Sequence, residues 1–381
     1  MIKRHVVVIG AGSTGAAIAH DLALRGLQVT LVERLGPASG TTGHNQAQLH
    51  SGARYAVNDP HSARECAEEN LVLRRIMPHA LELNDGLFIA LREEHLNYRE
   101  PFLEGCAQCN IPTREMSPAE ALQIEPGLNP GLLAAIRIPD GVFDPYRFTL
   151  SFIATARKNG ATFLPFTEVV GIEQASGKVR VHQKANNKIV EINCDAIINA
   201  AGPWAPRIAE MAGVALAVEA SAGVMVTLSR RLCNMVINLL APPADGDIIV
   251  PQRNTSILGT TSWTVEDPDN IPIPPDHVDQ LLILAEWMMP GASQVPVRGV
   301  MAAARPLIHD ESTSGRASTR GDRSYDHADQ GAPGFFSIIG GKTTTARLMA
   351  EKISNLVCSN LGIDRPCRTR IEPLVSYRFG M

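Results

Sequence analysis

The chain has 381 residues, enough for two domains or for one large domain with an inserted partner. Lysine and arginine number 35 against 39 aspartates and glutamates, and this net charge of −4 argues against a nucleic-acid binder. With 45% hydrophobic residues and so small a net charge, the composition also excludes a disordered chain.

The cysteines and the hydropathy of the chain indicate where in the cell the protein is expected. The seven cysteines are an odd number and are scattered, which fits reduced thiols in the cytoplasm better than a disulfide framework. The longest apolar run, residues 211–218, stops at Glu219 and is far shorter than the roughly 18–20 residues that span a bilayer. We therefore expect a cytoplasmic protein without a transmembrane segment.

The first elements in chain order are a strand, a helix and a second strand. Residues 5–9 are a β-branched run typical of a buried parallel strand, and residues 28–32 predict the next one. Residues 16–25 between them are rich in alanine and leucine and predict a helix. Gly10-Ala11-Gly12-Ser13-Thr14-Gly15 joins the first strand to this helix, and Glu33 follows the second strand. The pattern is a complete βαβ unit.

Further helices and strands are predicted downstream. Asp59 and Pro60 cap a helix that runs to about residue 77, and residues 80–145 predict short strands with one helix around 101–110. Residues 216–310 read as strand-rich, and residues 312–323 as the most loop-like segment. The remaining predicted elements are a helix at 148–159, strands at 167–174, 179–184, 189–193 and 195–199, a helix near 277–289, a strand at 335–339 and a helix over about 343–361.

The glycines and Glu33 of the βαβ unit form a dinucleotide-binding fingerprint. Gly10 permits the tight turn, Gly12 lets the backbone approach a pyrophosphate, and Gly15 lets the helix pack closely on the strand. The helix N-terminus attracts that anion, and Glu33 accepts hydrogen bonds from a ribose diol. The alternative is a glycine-rich turn without a ligand. A long small-polar loop after the second strand, a later three-strand meander and a distant Gly-Gly helix start favour FAD over NAD.

Other motifs are spread from about residue 5 to about residue 368. They are Gly40-Thr41-Thr42-Gly43-His44-Asn45, Leu49-His50-Ser51-Gly52-Ala53-Arg54-Tyr55, Pro139-Asp140-Gly141, Asn199-Ala200-Ala201-Gly202, Gly259-Thr260-Thr261-Ser262, Arg305-Pro306-Leu307 and Gly340-Gly341-Lys342. In this order they resemble the FAD-dependent glycerol-3-phosphate dehydrogenases, and among them the A subunit of the anaerobic enzyme.

The resemblance implies a mixed α/β, D-amino-acid-oxidase-like fold. A Rossmann-type FAD-binding domain would comprise residues 1–80, 146–215 and 331–381, and an antiparallel-sheet cap domain residues 81–145 and 216–330. The implied reaction oxidises the secondary alcohol of sn-glycerol 3-phosphate, or of a close small anionic 2-hydroxy compound, to the ketone. Electrons would pass from the flavin to a quinone or a partner subunit, which allows peripheral association with the inner face of a membrane.

The resemblance also implies roles for individual residues. The expected catalytic residues are His50, Arg305 and Lys342, because an imidazole exchanges a proton near neutral pH and the two cations favour a developing alkoxide. The expected substrate-binding residues are Arg54, Tyr55, Gln48 and Arg320, the arginines because their planar fork of donors suits a phosphate. We expect the four cations of these two sets to converge, although each residue taken singly also has a structural explanation.

The expected cofactor is a non-covalent FAD, with His44 as the alternative point of covalent attachment. Its expected ligands are Gly10, Gly12, Gly15, Glu33, Arg34, Thr41, Thr42, Asn45, Gln46, Val169, Ala201, Gly202, Trp204, Gly340, Gly341 and Thr343. No metal is expected, since Cys106-Ala107-Gln108-Cys109 has no second pair. The A subunit of the family usually carries a C-terminal extension with clustered cysteines for an iron–sulfur centre, and no such cluster occurs between Cys367 and Met381.

Two other functions remain open on the sequence alone. The chain departs from the family pattern at Gln46 and Gln48, and small residues 302–304 precede Arg305, so the pocket could suit another substrate. The first alternative is therefore an FAD-dependent oxidase or dehydrogenase of another 2-hydroxy acid, a phosphonate or an amine. The second is a flavin subunit that only transfers electrons within a complex.

Overall fold

The computed structural model describes residues 4–173, 177–308 and 321–379. Helices within this part of the chain are, in order, α1 (Ser13–Leu24), α2 (Pro60–Ile76), α3 (Glu93–Asn97), α4 (Arg99–Gln108), α5 (Pro118–Ile124), α6 (Pro145–Lys158), α7 (Ala205–Met211), α8 (Pro275–Met288) and α9 (Ala346–Asn360).

Strands within the same residues, also in chain order, are β1 (His5–Ile9), β2 (Gln28–Val32), β3 (Gln48–Leu49), β4 (Leu81–Glu82), β5 (Gly86–Ala90), β6 (Arg114–Met116), β7 (Ala134–Ile138), β8 (Gly141–Phe143), β9 (Thr162–Leu164), β10 (Thr167–Glu173), β11 (Lys178–Gln183), β12 (Lys188–Asn193), β13 (Ala196–Asn199), β14 (Val218–Leu228), β15 (Val236–Leu239), β16 (Ile248–Gln252), β17 (Thr255–Gly259), β18 (Trp263–Thr264), β19 (Val297–Ile308), β20 (Asp322–Asp326) and β21 (Phe335–Gly340).

A six-stranded sheet in the order β20-β21-β13-β1-β2-β9 is built around the first βαβ unit. β1 pairs in parallel with β2 on one side and β13 on the other, and only β20 joins the sheet antiparallel. The apolar faces of α1, α6 and α9 cover one side of this sheet and form a shared core. On the other side, α7 and the antiparallel meander β10-β11-β12 complete a second core.

A nine-stranded, mostly antiparallel sheet forms the other large element of the structure. Its order is β18-β14-β17-β16-β15-β5-β7-β6, with β19 paired along the full length of β14. α8 packs on one face of this sheet and closes its core. The opposite face looks toward the C-terminal ends of the parallel strands, so the cavity described below lies between the two sheets.

Most predicted elements are confirmed, and local chemistry explains why. Asp59 accepts a hydrogen bond from the Ser62 N–H at 3.0 Å and, with Pro60, starts α2 as expected. The predicted meander and the predicted helix near 277–289 are present as β10–β12 and α8. The mixed α/β class is therefore confirmed. The division of the chain into an FAD-binding domain and a cap domain stays a proposal.

Two expectations are wrong in detail. Residues 80–145 contain α3 and α5 as well as the predicted helix, because a five-residue and a seven-residue helix are too short to show a helical period. The available signal for α5 was Ser117, whose side chain caps the helix by accepting from the Glu120 N–H. The last helix begins at Ala346 and not at 343, because residues 341–345 form an irregular turn first.

Candidate active site

The turn between β1 and α1 has the backbone shape that a bound dinucleotide requires. Gly10 has a φ of +102°, and a Cβ there would lie 2.7 Å from the carbonyl oxygen of Ala200. A Cβ on Gly15 would lie 1.9 Å from the carbonyl oxygen of Gly10, so only glycine lets α1 pack this closely on β1. α1 starts at Ser13 after Gly12, which offers no capping side chain, and its positive end lines the adjacent cavity, where the Ser13 N–H donates to the Thr42 hydroxyl at 3.0 Å.

Glu33 lies directly after β2, where an acidic residue was expected to bind a ribose. Its Oε2 accepts a hydrogen bond from the Ala11 N–H at 2.8 Å, and its Oε1 accepts one from the Leu35 N–H at 2.9 Å. These bonds fix the carboxylate but leave acceptor positions, because a carboxylate offers about four lone-pair sites. The side chain is therefore oriented and still able to accept from a diol.

A cavity of about 520 Å³ extends from this turn to the far side of the first loop, a size typical of cofactor and ligand sites. It brings together most residues that the sequence nominated for the cofactor. Those that line it are Gly10, Gly12, Glu33, Arg34, Thr41, Thr42, Asn45, Gln46, Val169, Ala201, Gly202, Trp204, Gly340, Gly341 and Thr343. Gly15 lies behind the turn, where its role is close packing.

The loop after β2 is tied to the elements around the cavity by side-chain hydrogen bonds. Thr41 donates to the carbonyl oxygen of Ala304 at 2.6 Å, and the amide of Asn45 donates to the carbonyl oxygen of Thr42 at 2.7 Å. The amide of Gln46 donates to the carbonyl oxygen of Gly259. The loop is thus fastened to the nine-stranded sheet, and its shape is set before any ligand binds.

The same cavity also holds residues expected for catalysis and for substrate binding. His50, Tyr55, Gln48, Arg305 and Lys342 all line it. The rings of His50 and Tyr55 lie 5.4 Å apart, and the Lys342 ammonium lies 5.2 Å from the centroid of the Tyr55 ring. Lys342 is distant in sequence from the segment 48–55 that carries His50 and Tyr55, so its contact with Tyr55 is a result of the fold.

Two cations in the wall of the cavity, Lys342 and Arg305, are held in fixed positions. Lys342 is buried and donates to the hydroxyl of Ser62 at 2.6 Å, which ties it to the first turn of α2. Arg305 lies in β19 and donates to the Thr260 hydroxyl at 2.8 Å and to the Ala222 carbonyl oxygen at 3.3 Å. Lys342 follows β21 and lies before α9, which begins at Ala346, so it is not part of the first turn of that helix.

Gln48 lines the cavity, and a hydrogen bond to the buried Asp140 holds its side chain in place. Its amide donates to Asp140 Oδ2 at 2.7 Å, and Asp140 Oδ1 accepts from the Ser51 N–H at 2.6 Å. Burial raises the pKa of the Asp140 carboxyl, and the hydrogen bonds from Ser51 and Gln48 oppose that rise only in part. The Pro139-Asp140-Gly141 motif therefore supports the residues on either side of His50.

The structure does not bring all four expected cations together. Arg54 does not line the cavity, because its buried guanidinium is paired with the equally buried carboxylate of Asp247. Burial by itself lowers the pKa of Arg54, but the charge of Asp247 and its hydrogen bonds outweigh burial and raise it. Arg320 lies outside the described residues, so its place in the site stays a prediction.

Sequence reasoning missed several lining residues. Met225 and Thr260 come from the nine-stranded sheet and the turn after β17, while Arg207 lies in α7. Pro268, Asp269 and Ile271 come from the segment after β18 and line the same end as Glu33. Apart from Thr260, no local motif marks these positions, because only the packing of one sheet over the other makes them part of a site. The Gly259-Thr260 dipeptide, quoted for the resemblance, was the available signal for Thr260.

Two absences within the described residues bear on other site types. Within residues 4–173, 177–308 and 321–379, no helix is long and apolar enough to cross a membrane. Across the same described ranges, no group of three or more histidine, cysteine, aspartate or glutamate side chains is arranged to hold a metal ion. The cysteines of the described part, including Cys106 and Cys109, are free thiols.

The N-terminus of α1, the oriented Glu33 and the cavity that both line fit FAD, whose pyrophosphate and ribose they would bind. The fold and this site define a flavin-dependent oxidoreductase. The family description "FAD dependent oxidoreductase", abbreviated DAO, matches residues 5–347. The chain belongs to this family, and FAD is its cofactor, as the sequence predicted.

Relatives agree with the resemblance drawn from the motifs. The chain is 43% identical to the A1 subunit of anaerobic glycerol-3-phosphate dehydrogenase from Haloferax volcanii, over 97% of this chain and 66% of the relative. It is 40% identical to the A subunit of the anaerobic glycerol-3-phosphate dehydrogenase from Escherichia coli K12, over 96% of this chain and 68% of the relative. The predicted resemblance is confirmed, and the chain spans about two thirds of the length of these proteins.

Solved structures share the fold. The glycerol-3-phosphate dehydrogenase of Bacillus halodurans, complexed with FAD, aligns with a TM-score of 0.75 and 23% identity, covering 98% of this chain and 68% of that one. The glycine oxidase of Geobacillus kaustophilus aligns with a TM-score of 0.76 and 20% identity, covering 98% of this chain and 99% of that one. The D-amino-acid-oxidase-like fold predicted from the sequence is confirmed.

Proposed function

We propose that the protein oxidises the secondary alcohol of sn-glycerol 3-phosphate to the ketone, with FAD as the acceptor of the hydride. The observation that carries the proposal is that Arg305, Lys342 and His50 line the same cavity as Glu33 and the glycine turn. A dinucleotide held at Glu33 and the turn would share this cavity with a substrate that the cations and the imidazole contact. The names of the curated relatives support this assignment.

The chemistry requires the removal of a hydride from carbon and of a proton from oxygen. FAD, when bound, supplies the two-electron acceptor, and the protein supplies position and charge. His50 is the group that takes the hydroxyl proton, and its ring is held beside the Tyr55 ring. Arg305 and Lys342 stabilise the negative charge that develops on the substrate oxygen, because both are fixed before the reaction.

A phosphate on the substrate requires cations as well. Lys342 and Arg305 line the cavity and supply such cations, and Arg320 is proposed to add to them. Arg54 would act as a ligand only if its guanidinium left Asp247, so we assign it first to holding the Tyr55 segment in place. Gln48 and Tyr55 would complete the wall that contacts the substrate.

The reduced flavin must pass its electrons on. We propose that the acceptor is a quinone or a partner protein, because the relatives are named as subunits of an anaerobic enzyme. A partner of this kind would hold the protein at the inner face of a membrane without a spanning helix of its own.

The decisive experiment is anaerobic reduction of the purified holoprotein, followed by flavin absorbance. Glycerol 3-phosphate should bleach the flavin, whereas glycerol, which lacks the phosphate, should not. Bleaching by a different 2-hydroxy acid, a phosphonate or an amine alone would replace the proposed substrate. A flavin that dithionite reduces but no small alcohol or amine does would indicate a component that only transfers electrons.

A further inference from the structure

A short connecting segment that follows the nine-stranded sheet contacts residues around the six-stranded sheet. Residues 267–271, here called the strap, follow β18 and precede α8. At the strap's centre, the carboxylate of Asp269 contacts Arg34, Trp204 and Arg207. The first of these residues follows β2, the second follows β13 and the third lies in α7, so all three belong to the surroundings of the parallel strands.

The contacts of Asp269 converge from three directions. Oδ1 accepts from Arg34 Nη2 at 2.6 Å and from Trp204 Nε1 at 2.8 Å, while Oδ2 accepts from Arg207 Nη1 at 2.5 Å. Asp267 strengthens the arrangement, because its Oδ1 accepts from Arg207 Nη2 at 2.7 Å and from the Asp269 N–H at 3.0 Å. The carboxylate of Asp269, with that of Asp267 beside it, thus fastens the strap to the opposite side.

The strap also forms part of the cavity wall. Pro268, Asp269 and Ile271 line it together with Glu33 and Trp204. The Arg34 guanidinium lies 4.6 Å from the centroid of the Trp204 ring, so the donors of the strap are themselves packed into one wall. This is the end of the cavity that a dinucleotide occupies with its adenosine, because Glu33 is placed to accept from the ribose.

The strap is built to open without unfolding the protein. The side chains of Arg34, Arg207 and Asp269 are 34%, 47% and 37% exposed. When their contacts break, water can solvate the charged groups, and no unpaired charge is left buried. Isolated pairs of this exposure stabilise little, but here one acceptor serves three donors as a network. Burial alone raises the pKa of Asp269, yet the hydrogen bonds from Arg34 and Arg207 lower it overall, which keeps the carboxylate charged.

We propose that the strap is the outer wall of the adenosine subsite and that Asp269 retains FAD by holding this wall closed. Pro268 and Ile271 then contact the adenosine moiety, and release of the cofactor requires the contacts of Asp269 to break. The inference rests on FAD binding and not on the identity of the substrate, so it stands or falls separately from the proposed reaction.

The test compares two flavins in the Asp269→Ala variant. FAD carries the adenosine and FMN does not, so a strap that acts on adenosine affects only the first. We expect FAD to dissociate from the variant about tenfold faster or more, as removal of charge-assisted hydrogen bonds implies. The apo form of the variant should bind FMN with an affinity within about twofold of that of the unchanged apoprotein, because a twofold change in Kd is a small change in binding free energy. Flavin fluorescence measures both, independently of turnover.

A matched control removes an ion pair of similar exposure elsewhere. Glu115 pairs with Arg99, and both side chains are about half exposed on elements that do not line the cavity. The Glu115→Ala variant should bind FAD and FMN as the unchanged protein does. Unchanged FAD dissociation in Asp269→Ala would overturn the proposal. An equal loss of FAD and FMN would also overturn it, because it would indicate general damage to the fold.

Discussion

The guanidinium of Arg54 lies against the carboxylate of Asp247 in a two-point ion pair, with Nη1–Oδ2 and Nη2–Oδ1 distances of 2.9 and 2.7 Å. Arg54 Nη2 also donates to the carbonyl oxygen of Ala244 at 3.3 Å. The next residue after Arg54 is Tyr55, whose ring contacts both His50 and Lys342. The pair therefore fixes the segment that supports the reactive end of the cavity.

The first prediction concerns this pair. The Asp247→Asn variant should lose about 3–5 kcal/mol of unfolding free energy, because it leaves a buried cation without its counter-charge. Urea unfolding of the holoprotein measures the loss. The double variant Arg54→Met, Asp247→Leu should recover most of it, since an apolar pair removes the charge and the desolvation penalty together. Equal stability of Asp247→Asn and the double variant would contradict the prediction.

The same double variant separates the two roles considered for Arg54. If Arg54 only positions Tyr55, a stable double variant should bind glycerol 3-phosphate nearly as well as the unchanged protein. If Arg54 leaves Asp247 to bind the phosphate, KM should rise by about tenfold or more, as expected for the loss of a charge-assisted contact. Steady-state kinetics with a dye acceptor distinguish these outcomes.

The sequence was sufficient for features that are local in the chain. The Gly10 turn, the helix that follows and Glu33 all lie within one βαβ unit, and each glycine has a steric reason that holds without the rest of the fold. Arg305 and Lys342 were found because the motifs around them resemble a known family. Both residues line the same cavity, and their roles there stay a prediction.

The sequence was insufficient where partners are distant and carry no motif. Asp247 lies 193 positions from Arg54, and an aspartate in a Gly-Asp turn predicts only a turn. Asp269 occurs in Asp-Pro-Asp, which likewise reads as a turn, and its three donors come from separate parts of the chain. Such pairings are set by how one sheet packs on another, and periodicity within either sheet does not specify them.

A second prediction concerns the buried lysine. Replacing Lys342 by methionine should lower kcat/KM for glycerol 3-phosphate by about 10- to 100-fold, the value of one charge-assisted contact. Lys352→Met is the matched control, because Lys352 pairs with Glu65 and Asp322 and does not line the cavity. The control should retain the kinetics of the unchanged protein. Similar kinetics for the two variants would remove Lys342 from the site.

A third prediction assigns the proton acceptor. The His50→Asn variant should lose about 10²- to 10⁴-fold in kcat with a smaller change in KM, the range typical of general acid–base groups. The pH dependence of kcat should flatten in this variant, a change that loss of packing alone would not produce. His61→Asn serves as the control, because His61 is on the exposed surface of α2. A normal pH profile in His50→Asn would assign the proton to another group.

A fourth prediction concerns attachment of the flavin. His44 lines the cavity, and its Nδ1 lies 2.9 Å from the carbonyl oxygen of Gly40, which fixes the ring. We expect FAD to be held without a covalent bond, so acid precipitation should leave a yellow supernatant and a colourless pellet. Flavin retained in the pellet of the unchanged protein, but not of the His44→Ala variant, would instead establish attachment at His44.

The last prediction follows from His20, which lies fully buried in α1 with neither ring nitrogen hydrogen-bonded among the described residues. Burial lowers the pKa of His20 from 6.5 to about 3, so the folded protein keeps this ring neutral. Between these values the unfolded chain binds the proton and the folded chain does not. The unfolding free energy should therefore fall as the pH is lowered through this range.

The contribution of His20 reaches at most about 1.4 kcal/mol per pH unit, the value for one proton. His20→Leu replaces the ring with an apolar side chain next to Phe152 and removes this titration. Urea unfolding at several pH values from about 7 to about 4 should therefore show a shallower acid decline in the variant. His61, on the exposed surface of α2, offers a control, because His61→Gln leaves His20 in place. An acid decline of the same steepness in His20→Leu and the unchanged protein would show that the pH sensitivity arises elsewhere.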